Sequence, residues 1–149
     1  MIVRSLCAIL LLSSLSANAQ QLMMARVSQS FPEAMLTLQG AIREHGYAVT
    51  RVQRVDIGLT SNGYSTDKYR IVFFAKPDEL RTIAEHYPKV QAFLPLKINI
   101  FAENDETLIN TIDPMELQFI EPSREFSHIL MRWKNDILSI ISEMRQSGE

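Results

Sequence analysis

The segment from Phe93 to Asp113, FLPLKINIFAENDETLINTID, limits what this chain can fold into more than any other stretch. Leu96, Ile98 and Ile100 alternate with Lys97, Asn99 and Phe101, the two-residue period of a strand with one buried face. Asn104, Asp105 and Glu106 supply turn chemistry, and Thr107 to Ile112 alternates again, so the segment predicts an antiparallel hairpin. Pro95 opens the first strand and Asp113-Pro114 stops the second, because proline donates nothing to a ladder. The hairpin holds no nucleophile, metal cluster or phosphate loop. Its buried face must be covered by other parts of the chain.

Several neighbours can do that. Leu22 to Ser28 predicts a first strand. Ser30 followed by Glu33 forms a capping box, and Phe31, Met35, Leu38 and Ile42 then fall on one helical face until His45 and Gly46 stop the helix. Tyr47 to Leu59 predicts a second strand; the spacing of Val49, Val52 and Val55 is out of phase, which places a bulge near Arg51 or Arg54. A loop with Asn62-Gly63 at its tip leads to a third strand, Lys68 to Lys76. Its centre, Ile71 to Ala75, is apolar at every position, the mark of a strand covered on both faces. Pro77 starts a short helix with Leu80, Ile83, Ala84 and Tyr87 on one face, and Pro88 ends it. After the hairpin and a polar connection over 113–123, Phe126, Ile129, Leu130, Trp133, Ile137, Ile140, Ile141 and Met144 step along one stripe of a long helix. The order β-α-β-β-α-β-β-α predicts a single α+β domain. It has an antiparallel sheet of about four to five strands and helices mainly on one face.

The first residues carry an address. Arg4, the apolar run Leu6 to Leu12 with Leu15, and Ala17-Asn18-Ala19 have the layout of a secretory signal cleaved after Ala19. The apolar run is shorter than the roughly 20 residues a spanning helix needs. The expectation is an exported, periplasmic domain over 20–149 with no membrane span in its mature form. Cys7 is the only cysteine of the 149 residues and lies inside this signal, so the mature domain has no disulfide, thiol nucleophile or thiolate metal site. The formal net charge is −2, and loss of Arg4 makes it about −3, with both signs interspersed. A nucleic acid or an anionic membrane needs a clustered basic surface, so neither is an expected partner.

Four features in this order resemble a known bacterial family, the domain of unknown function 302. They are His45-Gly46-Tyr47 at a helix end, a hydrophobic strand running into Lys76-Pro77, YP at 87–88 with FLPL at 93–96, and a hairpin ending in Asp113-Pro114. The resemblance spans roughly 28–117, with the helix over 123–145 as a closing element. It implies a compact α+β fold with the TATA-binding-protein-like sheet-and-helix arrangement, and often a dimer. It transfers no catalytic residue and no cofactor.

The chain's own chemistry is sparse. There is no GxSxG elbow, SxxK pair or glycine-rich phosphate loop, so no enzyme class is indicated. His45 and His86 each end a predicted helix, where the backbone dipole favours an imidazolium. The sharper alternative is a metal or enzymatic site shared by His45, His86 and a nearby carboxylate, although no HxH or HxxxH spacing supports it. His128 lies off the apolar stripe and is expected in solvent. The acidic tip, Glu103 to Glu106, is too short for a calcium loop. Asp56 is flanked by apolar neighbours and expected at a turn or strand edge. The remaining candidate is a surface. If helices cover one sheet face, the other presents Tyr69, Ile71 and Phe73 beside Lys97, Asn99 and Phe101, a mixed aromatic and polar patch of the kind found at interfaces. Tyr69, Phe73, Lys97, Asn99 and Phe101 are the expected binding residues. The expected occupant is a second copy, an envelope protein or a small apolar ligand.

Overall fold

The computed structural model describes residues 22–148, so the secretory signal expected over 1–19 lies outside the described residues. Five strands form one antiparallel sheet in the order β1-β5-β4-β3-β2: β1 Leu22–Val27, β2 Ala48–Arg54, β3 Tyr69–Ala75, β4 Leu96–Glu103 and β5 Glu106–Ile112. The expected hairpin supplies the central strand and one neighbour. Its turn needs a left-handed residue, which Asn104 provides at φ 55°.

Four helices accompany the sheet: α1 Phe31–Glu44, α2 Val55–Ser61, α3 Pro77–His86 and α4 Arg124–Gln146. Two 3₁₀ turns, Pro88–Phe93 and Pro114–Phe119, complete the connections. The capping box forms at α1, where the Ser30 backbone N–H and hydroxyl both donate to the Glu33 carboxylate at 3.1 and 2.6 Å. Gly46, at φ 78°, takes the left-handed position after α1. At α4 the Ser123 hydroxyl accepts from Phe126 N–H.

One face of the sheet is the core. Met23, Ala25 and Val27 of β1, Val72 and Phe74 of β3, Leu96, Ile98 and Ile100 of β4, and Ile109 of β5 are buried on it. Against them pack Ala34, Leu38, Ala41 and Ile42 of α1 and the α4 stripe from Phe126 to Met144, with Trp133 2% exposed. At roughly 25 cal/mol per Å² of apolar surface removed from water, this one layer supplies most of the drive to fold.

Two expectations fail. The second strand ends at Arg54 rather than continuing to Leu59, and Val55–Ser61 is helical. Val55, Ile57 and Leu59 alternate as a strand would, but the helix is fixed by polar contacts that alternation does not report. Asp56 pairs with Arg70, and the Thr60, Ser61 and Asn62 side chains donate to the carbonyls of Asp56 and Gly58. The third strand is not covered on both sides: Val72 and Phe74 are buried, whereas Ile71 and Phe73 are only half-buried. The predicted irregularity in β2 is present as a register shift between Val49 and Arg51.

Candidate interaction face

Among the described residues, helices pack on one side of the sheet, and the alternate residues of every strand emerge on the other. The register determines which. Tyr69, Ile71 and Phe73 of β3 lie directly opposite Phe101, Asn99 and Lys97 of β4. Leu108 and Asn110 of β5 lie opposite Phe101 and Asn99, and Arg51 and Gln53 of β2 opposite Phe73 and Ile71. The five residues expected from sequence therefore share one face and form adjacent cross-strand rows. Sequence reasoning missed the outer members of those rows, Arg51, Gln53, Met24 and Arg26. Their placement depends on strand order and on the bulge, which alternation alone does not reveal.

The rows differ in chemistry. At one end Tyr69 and Phe101 meet edge to face, 5.9 Å apart at 70°, over a shallow hollow of about 490 Å³ bounded by Thr66, Asp67 and Glu103. Beyond them Arg26 on β1 holds Glu103 and Glu106 at 2.6 and 2.8 Å. In the middle Asn99 Nδ2 donates to Asn110 Oδ1 at 2.8 Å. At the other end the Arg51 guanidinium sits 5.9 Å from the Phe73 ring centre, with Lys97 exposed on the far side of Phe73. The face thus has a basic end, a neutral amide centre and an acidic end. Leu22, Met24 and Ile112 add exposed apolar surface on the β1 side.

The histidines do not converge into a metal site. His45 Nε2 lies 2.8 Å from Glu143 on α4, and His86 Nδ1 bonds the Thr82 carbonyl of its own helix at 2.9 Å. Among the described residues no three His, Cys, Asp or Glu side chains gather closely enough to hold an ion. His128 is exposed, as expected. Asp56 sits in the first turn of α2 rather than at a strand edge, and the hydrogen bond from Arg70 holds its carboxyl below the usual range.

A polar cluster that no motif announced joins α3, α4 and the ends of β2 and β3. The Tyr47 hydroxyl donates to Asp136 Oδ2 at 2.6 Å, and Lys76 Nζ stands 3.5 Å from the same oxygen and 4.4 Å from the Tyr47 ring centre. Trp133 Nε1 donates to Glu79 Oε2 at 2.7 Å, and Arg132 pairs with the other oxygen. Burial first, then the Asp136 bond, pushes the Tyr47 phenol well above its ordinary range, so it stays protonated at neutral pH. The adjoining cavity of about 10 Å³ has room for a water at most. The cluster is a clamp between layers, not a chamber for a substrate.

A five-stranded antiparallel sheet backed by two long helices on one side defines a small α+β domain. Over residues 23–144 the sequence matches the family described as Domain of unknown function DUF302, and the chain belongs to that family. The crystal structure of an uncharacterized conserved DUF302 protein from Bacillus stearothermophilus shares the fold, with a TM-score of 0.76 at 20% identity, covering 83% of this chain and 98% of that one. No curated protein matches the sequence. No helix among the described residues is long and apolar enough to cross a membrane.

Proposed function

We propose that this domain is a non-enzymatic interaction module whose uncovered sheet face pairs with a second copy of itself. One observation carries the reading: Tyr69, Phe73, Lys97, Asn99 and Phe101 stand in cross-strand rows on a face that no described helix covers. Five strands at about 4.8 Å spacing and seven residues at about 3.4 Å give a face of roughly 600 Å². Two such faces bury roughly 1,200 Å², the lower end of specific interfaces. The separation of charge supports self-pairing: a copy turned end for end sets the Lys97 and Arg51 end against the Glu103 and Glu106 end. As an exported protein, the domain would act in the envelope, alone or with a protein partner held on the same face.

Sedimentation velocity across a concentration series tests this. The chain is expected to shift from monomer to dimer as its concentration rises. Phe101→Asp replaces an aromatic side chain of the face with a further negative charge beside its acidic end and is expected to leave a monomer. Phe119→Asp, at a side chain 98% exposed outside the sheet, is expected to change nothing. A chain that stays monomeric at every concentration, or a Phe101→Asp variant that pairs normally, overturns the proposal.

A further inference from the structure

The sheet has two edges, and they are finished differently. An edge strand exposes a row of unpaired N–H and C=O groups, and proteins protect such rows with bulges, prolines and charges. At one edge β2 is protected: it carries the register shift at Val49/Arg51 and two exposed arginines, Arg51 and Arg54. At the other, β1 reads LMMARV, pairs with β5 residue for residue without a shift, and presents Leu22 and Met24 at 52% and 45% exposure. Its single charge, Arg26, is turned to Glu103 and Glu106.

The outward groups of β1 are identified by one contact. Arg145 of α4 reaches past the edge and donates from Nη2 to the Met24 carbonyl at 3.1 Å, which requires that carbonyl to point away from β5. By the two-residue period, Leu22 and Arg26 point their backbone groups the same way. Beside them runs a groove of about 390 Å³ between β1 and α4, walled by Leu22, Met24, Leu138, Ile141 and Arg145. Leu138, 48% exposed, makes its outer rim apolar. Among the described residues Arg145 pairs with no carboxylate and occupies the place that an incoming N–H would take.

We infer that the β1 edge is a strand-addition site for an extended segment of another protein, apolar at alternate positions and carrying one carboxylate. The added strand bonds Leu22, Met24 and Arg26, places alternate side chains under Leu138, and draws Arg145 off the Met24 carbonyl onto its carboxylate. The ladder forms on the outward backbone groups of β1, in the plane of the sheet, whereas self-pairing uses side chains that rise from the open face, Leu22 and Met24 among them; neither reading depends on the other.

The probe is an acetylated, amidated heptapeptide, Thr-Val-Thr-Glu-Thr-Val-Thr, whose valines and glutamate share one strand face, titrated into the whole chain by NMR. Amide shifts are expected at Leu22, Met24 and Arg26, with amide exchange there slowed about tenfold or more. Met24→Lys, which protects the edge at a half-exposed position, is expected to weaken binding about tenfold or more while the melting temperature holds. The same peptide N-methylated at alternate residues cannot form the ladder and is expected not to bind. Equal binding of the methylated peptide, shifts confined to β2 or to the open face, or no shift at millimolar peptide overturns the inference. So does exchange protection of Leu22 and Met24 that grows with protein concentration alone, since a second copy would then hold the edge.

Discussion

Replacing Tyr47 by phenylalanine removes one oxygen from the clamp between α4 and the sheet and leaves the ring in place. The lost bond, 2.6 Å to the Asp136 carboxylate, joins a neutral donor to a charged acceptor, a class worth about 1.5–3 kcal/mol. Asp136 keeps Lys76 at 3.5 Å and is 22% exposed at its side chain, so water can replace part of the bond. The lower figure of about 1.5 kcal/mol therefore applies, or about 5 °C in melting temperature for a domain of this size. The pH dependence makes the argument sharper. The phenol ionises near 10.0 in the unfolded chain but well above that in the fold. Its contribution is therefore fully present below pH 10 and is lost as pH rises from there toward the folded value. Above pH 10 the unfolded state releases a proton that the folded state keeps, so the wild-type advantage shrinks by up to about 1.4 kcal/mol per pH unit. The gap between wild type and Tyr47→Phe is expected to close near pH 11. Urea denaturation followed by circular dichroism, at pH 7 and at half-unit steps from pH 9 to about 11, measures it. A gap that is absent at pH 7, or that persists unchanged to pH 11, refutes the reasoning.

Adjacent β4 residues give an internal contrast. Ile98, 1% exposed in the core, is expected to cost about 2–5 kcal/mol when cut to alanine. Lys97→Ala, one residue away on the open face, is expected to stay within about 0.5 kcal/mol in dilute solution yet weaken self-pairing. Trp133→Ala loses its packing against Phe126 and leaves Glu79 with Arg132 alone. It is expected to cost about 3–5 kcal/mol, and near-normal denaturation would mean that α4 does not clamp the sheet.

The parts of the fold legible in the sequence are those fixed by neighbours along the chain. Ser30 and Glu33 are three residues apart, the α4 stripe repeats with the helix, and Asn104 sits between two alternating runs. Each states its structure within a turn or two. The open face was half legible: alternation groups Tyr69 with Phe73 and Lys97 with Phe101, and only the register of β3 against β4 brings the two sets together. What the sequence hid depends on distance. Tyr47 meets Asp136 across 89 positions and Trp133 meets Glu79 across 54, and no local pattern marks either pair. The short helix α2 was hidden differently. Its apolar residues keep a strand's rhythm, and the contact with Arg70 that secures Asp56 comes from the next strand.

The sheet order has a consequence for how the protein is made. Among the described residues, β1 is the first strand to be made and pairs only with β5, the last made; Arg26 and its partner Glu106 are 80 positions apart. At about 5–20 residues per second, β1 waits about 4–16 s for that partner. During synthesis the chain therefore carries an unpaired, apolar strand that cannot close on itself. A molecular chaperone binding Leu22 to Val27 in that interval would hold the newborn chain open until its final strands arrive.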